Sequence, residues 1–302
     1  MFKKGIYTIE KLEKKYHSFK SRSNKRISIT LYETAPDNLK EFILDDFCDP
    51  RNTFKRTYSK RFDKFDKKII SILSERLSKR NLHIHDCGVS DGRTSVEFFE
   101  KIKQINPNID FIASDYSPEL FIQKHKNITL TLMPDGNLAE ILFPPFVFKT
   151  CKLEKLYRYP INWIVFSLVK KILEKKIKDP NYKNSSEKIR IFCPDALKME
   201  KTYNNFRLSK YNLFDSMNHS YNIIRTMNVL NPTYFSDKEM KIVLKNIHKG
   251  LSDDGCWIIG SNKGPDSEVS GAIYTKTQKG FSLFHKESSL PAIHNTISLF
   301  NA

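Results

Sequence analysis

The stretch Leu82-His-Ile-His-Asp-Cys-Gly-Val-Ser-Asp-Gly-Arg-Thr-Ser95 constrains the fold more than any other part of the chain. A short apolar strand runs into Asp86, and two glycines, Gly88 and Gly92, bracket a turn. Val96 to Ile102 then has helical spacing. Strand, glycine-rich turn and helix are how doubly wound α/β proteins build a nucleotide-sized pocket. Glycine serves there because the backbone must bend sharply and approach a ligand with no Cβ in the way. A dinucleotide fold uses G-x-G-x-x-G, whereas the pattern here is D-x-G-x-x-x-G.

About twenty residues on, Asn108-Ile-Asp-Phe-Ile-Ala-Ser-Asp115 reads as a second strand ending in an acid. In a Rossmann-like site such an acid can accept hydrogen bonds from both ribose hydroxyls. Tyr116-Ser-Pro-Glu-Leu-Phe121 predicts a helix start, with Ser117 as N-cap and Pro118 at the first helical position. The D-x-G-x-x-x-G turn resembles motif I of class I S-adenosylmethionine-dependent methyltransferases. That resemblance implies an α/β, Rossmann-like methyltransferase sheet. It also implies that Asp86, Gly88, Ser90, Gly92, Asp115 and Tyr116 hold S-adenosyl-L-methionine. Asp115 would bind the ribose, and Asp86 would hold the turn or reach the methionine amino group.

Further along, Phe206 to Asp215 reads as a third strand with the loop after it, and Tyr221 to Leu230 as a fourth. Ser236 opens a helix with a Ser-x-x-Glu capping box (Ser236, Glu239) that closes at Gly250. Asp253-Asp-Gly-Cys-Trp-Ile-Ile-Gly260 reads as a tight turn into a fifth strand, and two more strands flank Gly280. The run N-L-F-D … Y-N-I-I-x-x-M-N-V-L-x-x-x-Y-F … L-x-x-D-G-x-x-I-I-G is similar to the chemotaxis-receptor methyltransferases. The resemblance covers roughly residues 80–125 and 205–262. It implies that Asn228 contacts the cofactor and that Asn212 and Leu213 lie against the adenine. Motif I departs from that subfamily, with Ser-Asp-Gly-Arg-Thr in place of its Gly-Glu-Glu-like continuation. A receptor-glutamate substrate therefore does not follow.

Residues 1–80 read as a mostly helical N-terminal cap packed on the core. Apolar residues recur at helical spacing over Lys40–Asp46 and Phe65–Leu77. Residues 81–302 form the Rossmann-like domain, interrupted at about 127–188 by a hairpin-plus-helix insertion. Its hairpin turns at Asp135-Gly136. Its helix, Tyr159 to Lys178, is apolar in its first half and lysine-rich in its second. That composition fits a helix packed on the core or a partner with its lysines reaching outward, or an interfacial helix on an anionic membrane surface.

The net charge is +17. Residues 1–80 hold 21 Lys/Arg against 11 Asp/Glu, and residues 149–190 hold 12 against 4. The basic charge thus lies outside the proposed cofactor core. It fits a phosphate-bearing partner, nucleic acid or lipid, or a lysine-rich solvated surface. Five cysteines are scattered singly with no Cys-x-x-Cys pair, which fits a reducing compartment and argues against a zinc ribbon. The first residues lack an apolar signal segment, and no apolar run approaches the ~20 residues that span a bilayer. A cytoplasmic protein, peripheral to a membrane if the 159–178 helix docks there, is expected, with no metal.

Methyl transfer from a sulfonium needs an aligned acceptor and exclusion of water, and a base only when the acceptor arrives protonated. The lack of a Ser-His-Asp or metal constellation is consistent with this. By analogy to the receptor enzymes the acceptor is an oxygen, as carboxylate or hydroxyl. Asn231-Pro-Thr-Tyr234 is close to the Asn-Pro-Pro-Tyr motif of amino-methylating enzymes, which keeps a nucleic-acid acceptor open. Its second proline is replaced by Thr233, so it reads as a turn before the Ser236 cap, with Tyr234 lining an acceptor pocket. A lipid or acyl methyltransferase and a non-catalytic cofactor-binding scaffold also remain open.

Overall fold

The computed structural model describes residues 4–16, 26–48, 55, 57–78, 81–149, 164–165, 167–168, 171–172, 184–233, 235–262 and 267–302. The chain divides into two compact units, each built from two separate stretches. One comprises Met1–Thr57 with Glu119–Cys193, the other Tyr58–Pro118 with Pro194–Ala302.

The second unit carries a seven-stranded sheet. Its strands are β1 (Leu82–Cys87), β2 (Ile109–Asp115), β8 (Phe206–Lys210), β9 (Tyr221–Met227), β10 (Leu251–Ser261), β11 (Ser270–Thr277) and β12 (Gly280–Glu287). They run in the order β12-β11-β10-β9-β1-β2-β8. The pairs β1–β2, β2–β8, β1–β9 and β9–β10 are parallel, and β10–β11 and β11–β12 are antiparallel. This is a doubly wound α/β sheet. The winding reverses at β1, whose neighbours are the second and fourth strands of the unit, and such a switch point opens a crevice beyond the carboxyl ends of the strands.

The helices of this unit follow from their apolar stripes. Helix α5 (Arg93–Lys103) buries Val96, Phe98, Phe99 and Ile102. Phe99 meets Phe111 of β2 edge-on at 5.6 Å and Phe206 of β8 at 5.0 Å. Helix α7 (Asp237–Gly250) buries Met240, Val243, Leu244 and Ile247, and Ser236 and Glu239 form the expected capping box. These four side chains share a core with Ile224, Trp257 and Tyr274. Helices α3 (Asp63–Ile72) and α4 (Ser74–Leu77) precede β1, α6 (Pro194–Thr202) precedes β8, and α8 (His294–Ser298) lies near the end of the chain.

The first unit carries a five-stranded antiparallel sheet, β6-β5-β4-β3-β7. Its strands are β3 (Glu119–His125), β4 (Ile128–Leu132), β5 (Leu138–Phe143), β6 (Phe146–Lys149) and β7 (Glu187–Arg190). With it come α1 (Ile9–Tyr16), a 3-10 turn at Ile29–Leu31 and α2 (Asp37–Asp46). Ile6, Leu12, Ile29, Leu39 and Ile43 pack with Leu120, Ile122, Ile189 and Ile191. Glu140, fully buried on β5, accepts from Ser28 Oγ and the Ile29 amide, and Lys149 Nζ lies 2.8 Å from Asp46 Oδ2.

Several expectations are corrected. Residues 119–121 form a strand, not the start of a helix. Ser117 donates its own amide to Asp115 Oδ1, and Glu119–Ile122 pair with β7. The local Ser-Pro capping signal loses to this non-local pairing. Within Glu119–Cys193 of the first unit, the hairpin expected to turn at Asp135-Gly136 is β4–β5, and among the described residues it is joined by β3, β6 and β7. The N-terminal stretch to residue 57 shares its core with those strands, whereas Tyr58 onward belongs to the parallel-sheet unit. The predicted turn at Asp253-Asp-Gly lies within β10 as an irregularity between Leu251 and Cys256. Of the 159–178 helix, Ile164, Val165, Ser167, Leu168, Lys171 and Ile172 are helical, and the remainder lies outside the described residues.

Candidate functional site

Gly88 follows β1, Asp115 ends β2, Asn228 follows β9 and Asn262 follows β10. The four therefore share the carboxyl edge of the parallel strands. Gly88 has φ +74° and Gly92 has φ +80°, a left-handed geometry that costs a residue with a Cβ and suits glycine. An ideal Cβ on Gly88 would overlap Val229 Cγ2. The Gly88 amide donates to the Ser114 carbonyl at 2.7 Å, so the turn folds back over β2. Gly92 then starts α5, its carbonyl accepting from the Ser95 and Val96 amides.

The same turn meets the end of β2. Ser90, itself at φ +60°, donates its amide to Asp115 Oδ2 at 2.8 Å, and Ser117 donates to Asp115 Oδ1 at 3.0 Å. Two backbone donors thus fix the plane of the carboxylate. The Ser90 hydroxyl is buried and has no partner among the described residues. A buried hydroxyl without a partner costs free energy, which a polar ligand in the crevice would offset. Tyr116 follows directly and is partly buried.

Asn228 sits at φ +58°. Its Nδ2 donates to Asn262 Oδ1 at 2.9 Å, and its Oδ1 accepts from the Asn262 amide at 2.8 Å. Arg61 Nε donates to the same Asn262 Oδ1 at 2.9 Å. Just before Arg61, the Lys60 amide donates to Glu97 Oε1 of α5 at 2.7 Å, and Ser59 Oγ accepts from Arg93 Nη1 at 3.3 Å. Residues 59–61 therefore run from the first turns of α5 to the end of β10.

Asp86 is placed differently from these groups. It is 1% exposed, and its Oδ2 accepts from Ser95 Oγ and Arg225 Nη1, both at 2.7 Å. Arg225 Nη2 reaches the Asp66 carboxylate of α3 at 3.0 and 3.2 Å. Burial raises the pKa of Asp86 despite the guanidinium, because desolvation outweighs the attraction. Burial likewise pushes Asp66 up to about 6. The side chain of Asp86 ties β1 to β9 and to the first turn of α5. Sequence reading missed Arg225 and Asp66. The available signal was an arginine between apolar residues inside a strand (Ile223-Ile224-Arg225), since a buried charge requires a carboxylate partner.

Asn212 and Leu213 lie in the loop after β8. Asn212 Oδ1 accepts from the Phe214 amide at 3.2 Å, and Leu213 is buried in the core with α7, its carbonyl accepting from Asn246 Nδ2. Asn231 Oδ1 accepts from the Thr233 amide at 2.9 Å, a turn stabilised by its own side chain. Tyr234 lies outside the described residues. Among the described residues, no group of His, Cys, Asp and Glu has the makings of a metal site, and no helix is long and apolar enough to cross a membrane.

The sheet order and the glycine turn define a doubly wound α/β protein with the turn after β1 at its switch point. No family model matches the chain, and no curated protein matches it. Among solved structures it is similar to coclaurine N-methyltransferase bound to N-methylheliamine and SAH, at 11% identity and TM-score 0.31 over 66% of this chain and 35% of that one. It is also similar to the N-methyltransferase NodS of Bradyrhizobium japonicum in complex with S-adenosyl-L-homocysteine, at 9% identity and TM-score 0.33 over 67% of this chain and 62% of that one. A third is the CMeT domain of citrinin polyketide synthase, at 13% identity and TM-score 0.35 over 77% of this chain and 41% of that one. The matched region is less than two thirds of each of these chains.

Proposed function

We propose that the chain is an S-adenosylmethionine-dependent methyltransferase acting on an oxygen, carboxylate or hydroxyl, of an acceptor still to be identified. The observation that carries this reading is the turn after β1. Two left-handed glycines open the backbone there, and the Ser90 amide aims the Asp115 carboxylate from the next strand. Asp115 would accept from the ribose hydroxyls, and Gly88 and Gly92 would let the backbone approach the ligand. Ser90 would give its unpartnered hydroxyl a polar neighbour, and Asn228, locked against Asn262, would present a fixed amide edge. The bound group would supply a methyl already activated on a sulfonium. The chain's part is to hold the acceptor in line and keep water out. The oxygen acceptor rests on the resemblance of residues 205–262 to the receptor enzymes.

Two measurements test this. Calorimetric titration with S-adenosylhomocysteine should show saturable binding that Asp115→Ala weakens. Labelled methyl from S-adenosylmethionine should enter a fraction of a cell lysate when the protein is added. Label in protein or small molecules supports the oxygen reading when it is held in base-labile methyl esters, for a carboxylate acceptor, or in base-stable methyl ethers, for a hydroxyl acceptor. Label in RNA or DNA moves the acceptor to nucleic acid, label in lipid moves it to a membrane substrate, and binding without label in any fraction leaves a cofactor-binding scaffold.

A further inference from the structure

Beneath the turn lies a charge imbalance. Asp66, Arg225 and Asp86 are each 1% exposed and bonded in a row, two carboxylates to one guanidinium. The rings of Phe62 and Phe98 flank the guanidinium at 5.4 and 4.6 Å, so solvent does not dilute the field. With both acids ionised the cluster carries one surplus negative charge. It lies just before the turn, since Asp86 is only two residues ahead of Gly88. Apart from Arg225 of β9 and Asp86 of β1, the charged group acting on Asp66 is Lys101 of α5, which is engaged with Asp63 at 3.2 Å.

We infer that this buried surplus carboxylate makes the crevice discriminate by charge, favouring the cationic sulfonium form of the cofactor over its neutral thioether product. The inference rests on the cofactor reading above and deepens it. S-Adenosylmethionine and S-adenosylhomocysteine differ in the methyl group and one positive charge. A unit charge near the turn therefore acts on that difference directly. The chain would in this way ease product release without any contact to the methyl group. The surplus exists only while both acids are ionised, and burial raises the pKa of each. The Asp66 pKa of about 6 places loss of the preference on the acid side of neutrality. Above that pH the acid is ionised and the preference is present. As pH falls through about 6 the acid takes up a proton and the preference goes.

The test is titration calorimetry of both ligands without acceptor, at pH 8 and pH 5.5, on the wild-type chain and on Asp66→Asn. The sulfonium charge does not change with pH, so the ratio of the two dissociation constants reports the cluster. In the wild type, preference for the sulfonium should fall about threefold to fivefold between pH 8 and pH 5.5: one charge acting over ~10 Å at an effective dielectric of ~20 is worth roughly 16-fold, and an acid with a pKa of about 6 is still about one quarter ionised at pH 5.5. Asp66→Asn should show one value at both pH values, at or below the wild type's value at pH 5.5. If that variant does not fold, the wild-type pH arm decides. Binding of both ligands with a ratio that moves with neither pH nor substitution overturns the inference and leaves the cofactor reading standing. Failure of the wild type to bind either ligand overturns both.

Discussion

Arg225 Nη1 stands 2.7 Å from Asp86 Oδ2, with both residues 1% exposed, so the acid near the end of the first strand is held by the strand beside it. Removing one partner of such a pair leaves a buried charge without compensation. Arg225→Met strands two carboxylates at once and should lower stability by about 3–5 kcal/mol, read by urea unfolding. Adding Asp66→Asn to Arg225→Met should recover part of that loss. Equal stability of the wild type and Arg225→Met would show that the pair is not what holds β1 to β9.

Gly88 faces two separate obstacles to a side chain, its φ of +74° and the crowding of Val229. Gly88→Ala should destabilise the protein by about 1–3 kcal/mol and weaken S-adenosylhomocysteine binding at least ~10-fold. Adding Val229→Ala removes the overlap but not the backbone strain, so it should restore only part of the stability. Thermal unfolding and calorimetry on the two variants separate the contributions.

Asp115 is oriented by the Ser90 and Ser117 amides. Asp115→Ala removes the acceptor and strands both donors. It should cost binding about 1–3 kcal/mol, a loss of roughly 5- to 150-fold, while Asp115→Asn should lose less. An unchanged affinity in Asp115→Ala would remove Asp115 from the ligand's contacts.

His85 gives a pH signature. Its ring lies 4.9 Å from that of Tyr211 and 4.8 Å from that of Tyr221, and its Nε2 is 2.7 Å from Ser114 Oγ. Burial lowers its pKa to about 4. The folded ring stays neutral while the unfolded one takes up a proton below about 6.5. The stability it contributes is therefore complete above pH 6.5 and is lost as pH falls towards 4, by on the order of 3 kcal/mol. Asp66 acts in the opposite sense. Its raised pKa favours folding below about 4, and that contribution is lost as pH rises through about 6. The measurement is thus the difference between wild type and His85→Phe in unfolding free energy at each pH. A difference that stays flat from pH 7 to pH 4.5 would refute the buried neutral imidazole.

What could be read in advance follows from how local each signal is. The turn after β1, the capping box at Ser236 and the strand pair around Gly280 were legible because neighbouring residues set their geometry. The strand at Glu119–His125 was not, because its partners include Glu187–Arg190, more than sixty residues downstream. The glycine turn itself was legible as a motif, yet its support was not. Ser95 lies nine residues from Asp86, but Arg225 lies 139 residues away and reaches a further 159 back to Asp66. Asn262 escaped notice for the same reason, since its pairing with Asn228 exists only once β9 and β10 lie side by side.

The interleaved make-up of the two units sets an order on how the chain matures. The Tyr32 hydroxyl binds the carbonyl of Phe192, and Ile6 and Leu12 share a core with Ile189 and Ile191. On a translating ribosome, those early side chains wait for nearly two hundred residues before their partners emerge, with the first half of the parallel sheet made in between. Apolar surface left uncovered for that long invites chaperone capture or misassociation. Newly made chains stalled before residue 193 should be the species most easily cleaved by protease within their first fifty residues.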